Sequence, residues 1–155
     1  MQKINFKKLN NNYQPDPNIA SPDVELAGDK LLLSFPLNYH LYDRYKEDQY
    51  GTIIFNDCFM YRVGDPNDEG FFIDPKNPGR MRNNSRWNIT DFPQLEFHNF
   101  YLVENSDWQT NFGPDPIITK AVQSEIKDPE KLNHYLFLMK EGSFECIARS
   151  YEEKI

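Results

Sequence analysis

His134-Tyr-Leu-Phe-Leu-Met-Lys-Glu-Gly-Ser-Phe-Glu-Cys-Ile-Ala-Arg-Ser-Tyr151 is the stretch that decides the fold of this chain. Its first half is apolar on both faces, as expected of a central strand in a sheet. After a short turn its second half alternates, with Phe144, Cys146 and Ala148 on the buried face. The stretch therefore predicts an antiparallel hairpin at the core, in which Phe137 and Phe144 are buried.

Two earlier segments carry further strand signals. Residues 24–35 form a second hairpin candidate, in which Gly28 and Asp29 supply the positive-φ residues of a two-residue turn. Its second strand is expected to stop at Pro36. Residues 50–63 alternate between apolar and polar side chains, interrupted only where Asn56-Asp57 predicts a bulge or a turn.

Strands without βαβ alternation predict an α+β fold that is mainly an antiparallel sheet with one or two short helices. Residues 95–104 are a further predicted strand, and a partly closed barrel is one form that the sheet could take. One helix is predicted at 116–127, because Asp115 is a good N-cap and Pro116 suits the first helical position. Residues 39–49 are either a short helix or an irregular excursion.

The length of 155 residues corresponds to one domain, which we assign to residues 24–155 after an extended N-terminal arm at 1–23. An aromatic content of 15% favours β structure. Cys58 and Cys146, the two cysteines, both lie in apolar runs. They are predicted to be buried free thiols, the alternative being one disulfide.

The net charge of −7 argues against a nucleic acid partner, because duplex binding needs a cationic footprint. It is compatible with a basic protein partner. No apolar run approaches the roughly 20 residues of a membrane-spanning helix, and no export signal follows the first lysines. We therefore expect a cytoplasmic protein without a membrane partner.

The turn Asp65-Pro-Asn-Asp-Glu-Gly70 partly matches a calcium-binding loop. Oxygen ligands stand at its first, third and fifth positions, which are Asp65, Asn67 and Glu69. The twelfth position, where such a loop needs a bidentate Glu, is Lys76. No metal and no other cofactor is therefore expected.

The same turn is predicted to be structural first and functional second. The side chains of Asp65, Asn67 and Asp68 are suited to accept hydrogen bonds from nearby backbone N–H groups. Gly64 or Gly70 is expected to adopt a positive φ. A dense polar loop on a β scaffold is also where binding sites usually lie.

Three segments occur in the order Gly64–Gly70, Phe100–Trp108 and His134–Ala148. They resemble a group of small, uncharacterised bacterial proteins with a Gly-x-Pro-Asn-Asp-Glu turn, an Asn-Ser-x-Trp step and a closing Phe-Glu-x-x-Ala strand. The resemblance covers about the last two-thirds of the chain. In that group a Gly-His-Pro step commonly follows the turn, whereas this chain has Phe71-Phe-Ile-Asp-Pro75, which argues against an essential role for that His. The resemblance implies a bacterial origin and no established activity.

Arginines cluster in the loop that precedes Trp87. Arg80, Arg82 and Arg86, with the neighbouring indole, are able to hold a phosphate or a carboxylate. The alternative is a solvated loop whose arginines tie down nearby acids.

Two histidines, His98 and His134, lie on predicted strands and could face each other across a sheet. Together with Asp68 or Glu69 they would form an acid/base pocket, the alternative being two structural histidines. No nucleophile motif, phosphate-binding loop or dinucleotide fingerprint occurs in the sequence.

Two functions follow as hypotheses. The first is a non-catalytic bacterial interaction protein, for example of the immunity type, that binds a basic toxin or nuclease through an acidic aromatic surface. The alternative is a small-molecule binding domain or enzyme with a pocket near loops 64–74 and 80–86. A deep pocket lined by Asp68, Glu69, Arg82 and a His would favour it, and a flat acidic patch would favour the first. The candidate binding residues are Asp65, Asn67, Asp68, Glu69, Arg82, Trp87 and His98.

Overall fold

The chain folds into two antiparallel sheets, as described by a computed structural model over residues 3–67, 71, 86–119 and 132–155. Within these residues the strands are β1 Asn5–Lys8, β2 Asp23–Ala27, β3 Lys30–Pro36, β4 Tyr50–Asn56, β5 Met60–Gly64, β6 Phe100–Glu104, β7 Ile117–Ile118, β8 Asn133–Met139, β9 Gly142–Ala148 and β10 Ser150–Lys154. A single helical turn, α1, spans Trp108–Asn111.

One sheet has six strands in the order β1-β6-β8-β9-β5-β7, and the other has four in the order β10-β4-β3-β2. All their ladders are antiparallel. The prediction of a mainly antiparallel sheet is confirmed. In the described part of the chain the two sheets form no closed barrel.

The hairpin predicted at 134–151 forms the centre of the six-stranded sheet up to Ala148, whereas Ser150 and Tyr151 belong to β10 of the other sheet. Strand β8 lies between β6 and β9, and β9 lies between β8 and β5. Phe137 and Phe144 are fully buried. Cys58 and Cys146 are buried free thiols, which confirms that prediction.

The main core fills the space between the two sheets. The Phe55 ring of β4 lies 5.3 Å from the Phe144 ring and 5.2 Å from the Tyr135 ring. The Phe35 ring of β3 lies 4.9 Å from that of Phe137. Aromatic pairs at these separations add to the free energy of area burial and explain the use of so many Phe and Tyr.

A second core covers the opposite face of the six-stranded sheet, so the central strands β8 and β9 are buried on both faces. This explains why β8 is apolar on both faces. Phe71 and Trp87 both contribute to this second core. The other buried members are Leu95, Phe97, Tyr101, Val103, Leu136 and Leu138.

The two sheets are connected by strands that pass from one into the other. The chain leaves β4 for β5 at Asp57, whose φ is 50°, and leaves β9 for β10 at Arg149. These crossings are adjacent, because Arg149 N donates to Asn56 O at 3.0 Å and its Nε lies 3.4 Å from Asp57 Oδ2. The alternating run 50–63 is therefore two strands in two sheets, and Asp57 marks the turn between them.

The N-terminal segment, expected as an extended arm, is packed against the domain. Strand β1 pairs with β6 at the edge of the six-stranded sheet. Farther along, Tyr13 is only 2% exposed and belongs to the main core. Pro15 forms an isolated bridge to Leu37.

Several expected boundaries differ from the observed ones. The helix predicted at 116–127 is wrong at its start, because Ile117–Ile118 is the edge strand β7, and residues 120–131 lie outside the described residues. Asp115 has φ 54°, a conformation unsuited to the expected N-cap. The hairpin turn at Gly28 is confirmed with φ 66°, whereas Asp29 does not share the positive φ. Residues 39–49 form turns, which is the irregular alternative.

Candidate functional site

Glu145 is the one charged residue of β9, and it is 1% exposed. Its carboxylate binds three side chains. Oε2 lies 2.7 Å from His134 Nε2 and accepts a hydrogen bond from Trp87 Nε1 at 3.2 Å, while Oε1 accepts one from Arg62 Nη1 at 3.3 Å. We call these four residues, together with Ser106, the buried carboxylate cluster.

The register of the sheet brings the cluster together. Arg62 on β5 is directly opposite Glu145 on β9. On the other side, Glu145 is opposite Leu136, so His134 is its diagonal neighbour on β8. Diagonal neighbours in an antiparallel pair are within reach of long side chains. These residues therefore meet on the face that carries the second core, which includes Trp87.

Ser106 completes the cluster from the turn that follows β6. Its Oγ lies 2.6 Å from His134 Nδ1 and accepts a hydrogen bond from Trp108 N at 3.2 Å. When His134 Nε2–H donates to Glu145, Nδ1 is an acceptor, and the Ser106 hydroxyl is its donor. Every polar group in the chain Ser106–His134–Glu145 then has a partner.

Two opposing effects determine the pKa of Glu145. Burial raises it, but the hydrogen bond from His134, the charge of Arg62 and the Trp87 hydrogen bond outweigh burial and lower it. The carboxylate is therefore ionised at neutral pH. Arg62 also donates to the carbonyls of Pro114 at 3.2 Å and Asp65 at 3.1 Å, and so ties the acidic turn to the cluster.

A cavity of about 420 Å³ adjoins the cluster. It is bordered by Ser106, Trp108, Gln109 and His134. Ser106 is half-buried at the cavity wall, whereas the His134 side chain behind it is fully buried. A cavity with a histidine was expected of a small-molecule site, although its described lining differs from the residues predicted.

The acidic turn has few of its predicted contacts within the described residues. The carbonyl oxygen of Asn67 accepts a hydrogen bond from Phe71 N at 3.0 Å. Gly64 does not adopt a positive φ, so the prediction now depends on Gly70, the other candidate. Asp68, Glu69 and Gly70 lie outside the described residues, as do Arg80, Arg82 and Lys76 of the neighbouring segment.

Trp87 is 1% exposed and acts as a hydrogen-bond donor within the fold. The Arg86 guanidinium lies 4.5 Å from its ring centroid. Arg86 also forms an ion pair with Asp107 and donates to the carbonyl of Asn111. The alternative role, in which the arginines of this loop form ion pairs with nearby acids, is confirmed for Arg86.

His98 and His134 do not face each other. His98 lies in a turn before β6, with φ 65° and its ring centroid 4.6 Å from that of Phe97. The carbonyl oxygen of its neighbour Asn99 accepts a hydrogen bond from Leu138 N near the C-terminal end of β8. His134 lies near the N-terminal end of the same strand. The predicted histidine pair is therefore wrong, and the partners of His134 are Ser106 and Glu145.

Sequence reasoning missed Ser106 and Glu145 as site residues. Glu145 could have been noticed, because an acid in the middle of a buried hairpin strand needs a charged partner. Ser106 stands in the Asn-Ser-x-Trp step noted in the sequence, but nothing local marks its hydroxyl as the partner of a histidine. The described residues contain no group of three or more His, Cys, Asp or Glu side chains that could hold a metal ion. They also include no helix long and apolar enough to span a bilayer.

No protein-family model, curated protein or solved structure matches this chain. The assignment of function therefore depends on its own residues.

A second feature is the loop between β3 and β4. Leu37 N donates to Gln49 O at 2.8 Å, and Asn38 Oδ1 accepts from His40 N and Leu41 N at 3.1 Å each. These bonds hold a loop of turns in one conformation at the end of a rigid sheet.

This loop presents aromatic and apolar side chains among carboxylates. The Tyr39 and His40 ring centroids lie 4.0 Å apart with the rings tilted by 34°, and Leu41 is 59% exposed. Partial burial and the nearby carboxylates of Glu47, Asp16 and Asp48 raise the pKa of Tyr39. We call Tyr39, His40, Leu41, Glu47 and Asp48 the acidic loop surface.

Proposed function

We propose that the protein acts by binding a basic protein partner through the acidic loop surface. The observation that carries the proposal is an exposed Leu41 beside the adjoining rings of Tyr39 and His40, with the exposed acids Glu47 and Asp48 in the same loop. Interfaces combine aromatic or apolar anchors with a polar rim, and single large side chains supply most of the binding free energy.

The charges of the loop support a basic partner. Its two basic side chains are Arg44 and Lys46, and Arg44 is held within the molecule by Asn12 O and by the Tyr45 hydroxyl. Arg44 keeps its charge because both acceptors are neutral, so the loop carries three carboxylates, Asp43, Glu47 and Asp48, against two cations. The net charge of the whole chain, −7, has the same sign. The electrostatic field of a negatively charged surface accelerates association with a cation-rich surface and disfavours acidic partners.

The shape of the loop surface adds to this argument. Tyr50, at the end of the same loop, is 57% exposed, and an open depression of about 410 Å³ borders His40 and Leu41. Because backbone hydrogen bonds already fix the loop, little conformational entropy is lost when a partner docks. An immunity-type role, with a basic toxin or nuclease as partner in the cytoplasm, is the form of this proposal that we favour.

The test is a pull-down from a bacterial host lysate with three versions of the tagged chain. The first is wild type, the second is Glu47→Gln/Asp48→Asn, and the third is the control Glu25→Gln/Glu152→Gln. Both double variants lose two charges from exposed carboxylates, and Asn at position 48 tolerates the left-handed φ of 65°.

We expect a basic protein to be retained by wild type and by the control, and to be lost with the loop variant. With the purified pair, the association rate should fall severalfold between low and physiological ionic strength. Retention by the loop variant, or a partner without a basic surface, contradicts the proposal.

A further inference from the structure

We propose that Ser106, His134 and Glu145 form a second, separate site, in which Ser106 is an acyl-accepting nucleophile toward small esters. The juxtaposition that carries this inference is the unbroken hydrogen-bonded chain from the serine hydroxyl through the imidazole to a buried carboxylate. Its two links measure 2.6 and 2.7 Å. The site shares no residue with the acidic loop surface, so either proposal can fail alone.

Each residue meets the chemical demand of its role. A serine hydroxyl becomes nucleophilic when a base within hydrogen-bond reach takes its proton, and the base must be oriented by a third group. His134 is within reach of Ser106, and Glu145 fixes its ring from the other side. The ring nitrogens are exchanged relative to the usual serine triad, since Nδ1 faces the hydroxyl and Nε2 the carboxylate. Either nitrogen can accept the proton, so the roles are unchanged.

The surroundings of Glu145 prepare it for this role. Its carboxylate is held by Arg62 on one oxygen and by Trp87 and His134 on the other. An ionised carboxylate in a buried site stabilises the imidazolium that forms when His134 takes a proton. Because Arg62 and Trp87 hold it in place, little reorganisation accompanies that proton transfer.

The position of Ser106 points to a substrate rather than to core packing alone. Ser106 is half-buried and borders a cavity of about 420 Å³, a volume within the range of small-molecule sites. The base lies behind it with a fully buried side chain, so a substrate meets the hydroxyl first. Gln109 borders the same cavity, and its side-chain amide is a hydrogen-bond donor for the developing oxyanion.

The reaction proceeds in two steps, acylation of Ser106 and hydrolysis of the acyl-serine. Ser106 Oγ bonds to the ester carbonyl carbon while its proton moves to His134 Nδ1, and the carbonyl electron pair moves to oxygen. When that electron pair returns and re-forms the carbonyl, the bond between the carbonyl carbon and the alcohol oxygen breaks. The alcohol oxygen takes the proton from Nδ1, and the alcohol leaves. Water then attacks the acyl-serine, delivers its proton to Nδ1, and releases a carboxylic acid as Ser106 recovers its hydrogen.

The test uses p-nitrophenyl acetate as substrate and a fluorophosphonate as a serine-directed label. We expect one fluorophosphonate adduct per chain, which peptide mass mapping places on Ser106. This measurement is made on the wild-type chain and so does not depend on the folding of a variant. A label that maps elsewhere, or a chain that takes up none, overturns the proposal.

Variants test the roles. Ser106→Ala should lower the hydrolysis rate at least about 100-fold, whereas Thr110→Ala, a hydroxyl deletion on α1, should leave it unchanged. Glu145→Gln should lower kcat with little change in KM, as expected of a positioning residue. Hydrolysis by Ser106→Ala at the wild-type rate would show that the cluster is structural.

Discussion

Replacement of Glu145 by Gln is the most informative perturbation of the fold, because it keeps the shape of the side chain and removes its charge. Glu145 is 1% exposed, and Arg62, its partner on β5, has a side chain that is 13% exposed. Removing one member of a buried ion pair costs about 3–5 kcal/mol, since the other charge is left without compensation.

The structure places the expected cost at the lower end of this range. Arg62 keeps its bonds to the carbonyls of Pro114 and Asp65, which partly compensate its charge. We therefore expect Glu145→Gln to lower the free energy of unfolding by about 3 kcal/mol. For a chain of this length, about 2–4 °C per kcal/mol corresponds to a Tm that is roughly 6–12 °C lower.

The effect should depend on pH in a defined direction. The pKa of Glu145 is lower in the folded state than its usual 4.5. Its stabilising contribution is therefore fully present above that value and is lost as the pH falls through the folded pKa. The difference between wild type and Glu145→Gln should be largest at neutral pH and should shrink in acid.

Urea unfolding measured from pH 7 down to the acid limit of the folded state tests both the size of the free-energy difference and its dependence on pH. Glu141→Gln is the matched control, because the same change is made at an exposed position in the turn of the same hairpin. It should alter the free energy of unfolding by less than about 0.5 kcal/mol. A Glu145→Gln difference below about 1 kcal/mol, or one that does not change with pH, would refute the reasoning about a buried ionised carboxylate.

Two further predictions concern packing. Phe144→Ala should cost about 3–5 kcal/mol in urea unfolding, because the ring is fully buried and 5.3 Å from that of Phe55; a loss under about 1 kcal/mol would contradict its central place. Gly113→Ala should cost about 1–3 kcal/mol, because its methyl group would lie 2.6 Å from Arg62 Cδ and 2.8 Å from Glu145 Oε1. An unchanged Tm for Gly113→Ala would show that the ion pair can move aside freely.

The candidate site could be predicted from the sequence only in part. Glu145 and His134 are 11 residues apart in one predicted hairpin, so their meeting follows from local pairing. Trp87 and Arg62 are 58 and 83 residues from Glu145 in the chain. Ser106 reaches His134 from a turn whose direction no local pattern encodes. Contacts of this kind depend on which strands become neighbours in the sheet.

The sequence by itself determined the strands β2 to β6, β8 and β9 in outline, the turn at Gly28, the buried thiols and the central hairpin. These features follow from alternation, turn chemistry and apolar runs, which act over a few residues. Only the tertiary structure decided that the chain changes sheets at Asp57 and at Arg149. Alternation indicates which face of a strand is buried, and each sheet buries one face in the main core between them. The same pattern is therefore satisfied on either side of each crossing, and the pairing of distant strands determines which sheet each half joins.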